Sequence, residues 1–133
     1  MSDFRPLSAQ FSVAPQISIE DIAEAKAQGF AMVVNNRPDG EEPSAPQGDD
    51  ISRAAAAEGL AYAAIPIGHA GFSHAQIDAL DTLLADATGP ILAYCRSGTR
   101  STHLWALARA RGGDNVDGIV EAAAKAGYDL RSE

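Results

Sequence analysis

The stretch Ile91-Leu92-Ala93-Tyr94-Cys95-Arg96-Ser97-Gly98-Thr99-Arg100-Ser101-Thr102-His103-Leu104-Trp105 decides the fold. Gly89-Pro90 breaks whatever precedes it, and Ile91 to Cys95 then read as a short buried strand. A loop containing Gly98 follows. Leu104, Trp105, Leu107 and Ala108 next fall at helical spacing, and predict a helix with those four on its inner face. Strand, short glycine loop and helix N-terminus form a physical device. Successive backbone N–H groups converge on one point, and the positive end of the helix dipole adds to them. Gly98 permits a turn that a Cβ would resist.

Working outward, the same alternation recurs. Gln10 to Ala14 form a weak first strand closed by Pro15. Ser18 reads as an N-cap, with Asp21 three residues on, and Ile19, Ile22, Ala23 and Ala27 fall near helical spacing up to Gly29. Phe30 to Asn35 read as a buried strand. Residues 36–49 hold three prolines and two glycines among acidic residues, and form a loop. Asp49 or Asp50 can cap a helix ending near Glu58. Leu60 to Ile67 form the third strand. Ser73 caps a helix carrying Ile77, Leu80, Leu83 and Leu84. Asp114 to about Gly127 form a packing helix with Asp114 as its cap. Four strands alternating with helices imply one α/β domain over 1–133, with a parallel sheet covered on both faces. Ligands of such sheets bind at the carboxyl ends of the strands, where Cys95 sits.

The composition narrows the function. A net charge of −8 argues against nucleic acid and against an anionic membrane surface. It leaves room for a small anionic substrate held by local dipoles. No apolar run is long enough to span a membrane, and Met1 to Pro6 do not read as a secretory signal, so a cytoplasmic location is expected. The single cysteine forbids an internal disulfide and a cysteine-based metal cluster. The sequence calls for no metal and no cofactor.

A lone cysteine is ordinarily a small buried hydrophobe. An inert one would not require a glycine, two arginines and three hydroxyls in the next six residues. A thiol at a helix N-terminus is biased toward the reactive thiolate. Free cysteine titrates at about 8.5, and such sites lower that by one to several units. Arg100 can fork onto two oxygens of an oxyanion. Ser97, Thr99 and Ser101 are donors for the sulfur or a bound oxyanion. Arg96 is expected to point to solvent and shape the approach of substrate.

Cys-x-x-Gly-x-Arg-Ser after an apolar strand resembles the loop of rhodanese-like sulfurtransferases. Gln10-Phe11-Ser12 and Val33-Val34-Asn35-Asn36-Arg37 resemble dual-specificity tyrosine phosphatases. Taken with Leu92 to Ser101, Leu104-Trp105 and Ala126-Gly127-Tyr128-Asp129-Leu130, the chain resembles a small bacterial family. That family is described as the phosphatase-like domain of beta-lactamase-hydrolase-like proteins, or as a sulfurtransferase family. The resemblance implies a tyrosine-phosphatase-like fold with Cys95 as nucleophile and Arg100 as oxyanion binder. Some relatives are fused to a metallo-beta-lactamase-like domain that handles persulfides, so such an enzyme is the expected partner.

Two departures bear on the chemistry. Phosphatases of this kind place five residues between Cys and Arg, whereas here only residues 96–99 separate Cys95 from Arg100. They also use an Asp general acid, worth roughly 10²–10⁴ in rate. The corresponding stretch, Pro66 to His74, holds no Asp or Glu. Asp39, Glu41 or His69 would have to serve. Asp39 is ordinarily a turn residue. His69 and His74 are ordinarily solvated loop histidines, and His103 a packing residue. Sulfur transfer from thiosulfate expels sulfite, a stable anion that needs little protonation. The sequence therefore favours sulfur transfer on a sulfane-sulfur substrate, through a Cys95 persulfide. Phosphate-ester hydrolysis is the alternative, and a non-catalytic anion or persulfide sensor the third reading.

Overall fold

The computed structural model describes residues 3–68 and 71–130. Five strands form one sheet: β1 (Arg5–Ser8), β2 (Phe11–Ala14), β3 (Met32–Asn35), β4 (Ala61–Ala64) and β5 (Ile91–Tyr94). Five helices accompany it: α1 (Ile19–Ala27), α2 (Gly48–Ala57), α3 (His74–Asp86), α4 (Thr99–Arg111) and α5 (Val116–Lys125). The strand order is β1-β2-β5-β3-β4. β2, β5, β3 and β4 run parallel, and β1 pairs antiparallel with β2.

The four parallel strands are those expected, and β1 adds an antiparallel fifth at the edge. Four residues beginning Arg5-Pro6 carry too little periodicity to read as a strand, and a proline is tolerated only at an edge, which is where β1 lies. The strand expected over Leu60 to Ile67 narrows to Ala61–Ala64. Its continuation still tracks β3 and its exit, with Ile65 and Ile67 N–H donating to the carbonyls of Asn35 and Asn36 at 2.9 Å.

β5 is buried along its whole length, with β2 and β3 as neighbours. Its side chains alternate between two cores. Ile91 and Ala93 face one core with Phe11, Val13, Val34, Leu104 and Trp105. Leu92 and Tyr94 face the other with Val33, Ile22, Ile51 and Ala55. Leu107 is not on the inner face of α4 as expected. It is 40 % exposed, because Leu104, Trp105 and Ala108 already define the buried stripe.

The helix starts follow local chemistry. Ser18 and Ser73 cap α1 and α3 with reciprocal bonds to Asp21 and Gln76. At α2 the cap position is Gln47, not Asp49 or Asp50, and the Asp50 carboxylate accepts from the Gln47 N–H at 3.1 Å. At α5 the cap is Asn115, whose side chain accepts from the Gly118 N–H. Asp114, expected there, instead pairs with Arg109 at 2.6 Å.

Asn36 ties the sheet to α4. Its N–H donates to the Tyr94 carbonyl at 2.8 Å, and its Nδ2 to the Ile65 carbonyl at 2.9 Å. Its Oδ1 accepts from the Ser101 hydroxyl at 2.7 Å. Removing this buried side chain orphans a carbonyl and a hydroxyl, each of which carries a desolvation cost. Asn36→Ala is expected to lower stability by about 2–3 kcal/mol, read as a drop in the urea midpoint at unchanged slope.

Candidate active site

Cys95 follows β5 directly and is fully buried, so the central strand delivers its sulfur to the carboxyl edge of the sheet. Residues 96–98 turn the chain into α4. Gly98 takes φ +94°, a left-handed conformation that glycine adopts without the penalty of a Cβ. Its N–H donates to Cys95 Sγ at 3.2 Å. The turn is secured by Thr102, whose hydroxyl and N–H both donate to the Gly98 carbonyl, at 2.8 and 3.0 Å. The N-terminus of α4 thus opens beside the sulfur, with its dipole favouring negative charge there.

Arg100 is the second residue of α4. Its two terminal nitrogens fork onto Glu41 at 2.9 and 2.7 Å, and Nη1 also donates to the Ile67 carbonyl at 2.6 Å. Glu41 is shared with Arg37, whose Nε donates to it at 2.9 Å while Nη1 reaches Gln16 Oε1 at 3.0 Å. Hydrogen bonds from Arg100 first, and from Arg37, hold the Glu41 carboxyl down at about 2. Arg100 is pushed up in turn, chiefly by Glu41 and further by the nearby Cys95. Glu41, Gly68, Arg96, Ser97 and Arg100 line an open cleft of about 400 Å³ over the loop. The fork suited to an oxyanion is occupied by the protein's own carboxylate.

The sequence-derived candidates divide. Cys95, Arg96, Ser97, Gly98, Thr99 and Arg100 lie together on the loop and the first turn of α4, and Arg96 is exposed as expected. The Ser97 hydroxyl donates to Thr99 Oγ1 at 3.0 Å. Ser101 is buried and its hydroxyl is spent on Asn36, so it is not a donor to the sulfur. Asp39 does not line the cleft. Its carboxylate accepts from the Gly48 N–H at 2.8 Å, at the start of α2, beside a small cavity of about 10 Å³ bordered by Asn35, Gln47 and Tyr94. His74 is exposed at the first residue of α3 and is not among the cleft residues. His103 stacks on Phe72 with ring centroids 6.1 Å apart, a packing role. His69 lies outside the described residues.

Sequence reasoning missed Asn36, Arg37 as a holder of Glu41, and Tyr128. The polar pair Asn35-Asn36 ending an apolar strand was a readable signal for the first. Tyr128 lies in the ending Ala126 to Leu130 that carries the family resemblance, but nothing local ties it to the loop, for the carbonyl it binds, that of Ser97 at 2.9 Å, is 31 residues away.

The family model for the phosphatase-like domain of beta-lactamase hydrolase-like proteins matches residues 3–112. The chain belongs to that family. It is similar to a beta-lactamase hydrolase-like protein of Agrobacterium fabrum, at 36 % identity over 115 residues. That alignment takes in 86 % of this chain and 26 % of the relative, so the domain spans about a quarter of it. Among solved structures, a candidate phosphatase of Neisseria meningitidis superposes with a TM-score of 0.88 at 29 % identity, over 99 % of this chain and 94 % of that one. TpbA of Pseudomonas aeruginosa, in a complex with phosphotyrosine, shares the fold at a TM-score of 0.67 and 17 % identity, over 97 % and 78 % of the chains.

Two outcomes follow from the Glu41 network. Glu41→Gln weakens the occupant of the Arg100 fork, so inorganic phosphate or sulfate is expected to bind about tenfold more tightly by calorimetry. Glu41 also links folding to pH. Its folded value, about 2, lies below the ordinary 4.5. The unfolded chain therefore binds the proton more readily, and the stabilisation is complete above about 4.5 and lost as pH falls toward 2. Across that window the urea midpoint of Glu41→Gln is expected to fall less steeply than that of the parent.

Proposed function

We propose that this domain is a cysteine-dependent hydrolase of phosphate monoesters, selective for aryl esters. The observation that carries the reading is the convergence of the Cys95 sulfur, the Gly98 N–H and the Arg100 guanidinium at one helix N-terminus. The family and its structural relatives support it. The incoming phosphate takes the Arg100 fork from Glu41. The Cys95 thiolate attacks phosphorus, an S–P bond forms, and the P–O bond to the leaving group breaks. Among the described residues the carboxyl of the cleft is Glu41, which still faces Arg37 once phosphate has taken the Arg100 fork and so remains an ionised carboxylate rather than a proton donor at neutral pH. An aryl oxide leaves readily without that proton, whereas an alkoxide does not. Water then attacks the phosphoenzyme, its proton passes to the Glu41 carboxylate, and inorganic phosphate and the thiolate are released.

Sulfur transfer is the second reading, favoured by the ionised state of Glu41 and by the four-residue spacing from Cys95 to Arg100. The thiolate attacks the outer sulfur of thiosulfate, the S–S bond breaks, and sulfite leaves with the electron pair. A thiol or cyanide then takes the sulfur from the Cys95 persulfide. In this reading a persulfide-handling metallo-beta-lactamase-like enzyme is the partner.

A paired assay separates the two. One arm offers p-nitrophenyl phosphate and reads the phenol. The other offers thiosulfate with cyanide and reads thiocyanate. Phenol release that falls by a factor of about 10³ or more in Cys95→Ser, with negligible thiocyanate, is the expected result. Cys95-dependent thiocyanate without phenol would overturn it and install sulfur transfer. Binding of anions without turnover in either arm would leave a sensor.

A further inference from the structure

The peptide joining Ser97 to Gly98 is gripped from both sides. Its carbonyl accepts a hydrogen bond from the Tyr128 hydroxyl at 2.9 Å. Its N–H donates to Cys95 Sγ at 3.2 Å. The described chain has no cis peptide, and in a trans peptide the C=O and N–H point in opposite directions. Any rotation of this plane that takes the N–H off the sulfur must also take the carbonyl off Tyr128. Glycine at position 98 resists such a flip weakly, since it accepts φ of either sign. A flipped peptide would turn the negative end of its dipole toward the thiolate.

We propose that Tyr128 is a positioning residue of this site: its hydroxyl locks the Ser97–Gly98 peptide so that the N–H, not the carbonyl, faces Cys95. The proposal rests on Cys95 being the reacting group, whichever reaction it performs. Tyr128 follows α5, beyond the stretch that the family model matches. It is itself held in place. Its N–H donates to the Ala123 carbonyl at 2.9 Å. Arg5 of β1 lies over its ring at 5.3 Å and donates to the Ala126 carbonyl at 3.3 Å. Asp3 receives two bonds from Arg5, at 3.0 and 2.9 Å. The fit against the loop is close, for a Cβ on Gly98 would lie 2.1 Å from the Tyr128 oxygen. Burial first, opposed by Arg5, raises the phenol above its ordinary value, so the hydroxyl stays a donor across the neutral range.

Cys95 is the one cysteine of the chain, so alkylation by iodoacetamide reads it alone and needs no substrate. A failed esterase or sulfur-transfer assay therefore leaves this test intact. Tyr128→Phe keeps the ring and deletes the hydroxyl. It leaves Arg100, the charged group nearest the sulfur, Arg96 and Glu41 in the adjoining cleft, and Arg5 against the ring. The alkylation rate at pH 7 is expected to fall about three- to tenfold, with the midpoint of its pH profile moved upward. Arg5→Gln is the control for a merely structural role. It removes the charge over the ring while the Tyr128 N–H keeps Ala123 and the hydroxyl keeps Ser97, and is expected to lower the melting temperature without moving the midpoint. A folded Tyr128→Phe protein with the parent's pH profile overturns the proposal. Should that variant not fold, the parent supplies the second measurement. The Gly98 amide proton, followed by NMR, is expected to titrate with the midpoint seen in alkylation, and an amide shift independent of pH overturns the proposal equally.

Discussion

β5 has neither a free edge nor a free face, and that confinement is what the site depends on. β2 and β3 take its hydrogen bonds on both sides, and the two cores take its side chains above and below. A strand so enclosed can neither slip in register nor fray, because a shift of one residue would send every side chain to the wrong core. The residue that follows it is therefore fixed relative to the sheet. That residue is Cys95, and the loop behind it has only to turn the chain into α4. The Asn36 side chain and Thr102 complete the join, one tying the sheet to α4 and the other closing the first turn.

The electrostatics of the protein are local rather than global. The chain carries a net charge of −8, yet Arg100 and a helix N-terminus meet at one sulfur, beside a cleft that Arg96 also lines. Glu41 reconciles the two scales. Resting on Arg100 and Arg37, it offsets part of their charge and holds both guanidinium groups in defined positions. A bidentate carboxylate is close in shape and charge to part of a phosphate. In the proposed reaction, binding exchanges one anion for another, which costs less reorganisation than ordering a free arginine.

Much of the fold was legible because its signals are local. The apolar runs at β3 and β5, the Ser18 and Ser73 caps and the glycine stops are each written within a few residues. What failed to read was written elsewhere in the chain. β1 is a strand because β2 offers it an edge, and its own four residues say little. Asp39 and Glu41 sit two residues apart in one acidic loop, and nothing in their neighbourhood separates them. The fold sends one to the start of α2 and the other to Arg100, 59 residues away. Ser101 looked like a donor to the sulfur, but the buried Asn36 claims its hydroxyl.

By itself, then, the sequence determined the alternating strands and helices and the strand–glycine–helix join that puts Cys95 at an N-terminus with Arg100 one turn on. These depend on periodicity, φ preferences and dipoles, all set by near neighbours. Only the tertiary structure decided what the arginine holds at rest, which carboxylate borders the cleft, and that a tyrosine 33 residues beyond Cys95 fixes the peptide at its sulfur. Those contacts join segments remote in sequence. Their partners are chosen by how the helices pack on the sheet, and no local pattern of residues encodes that.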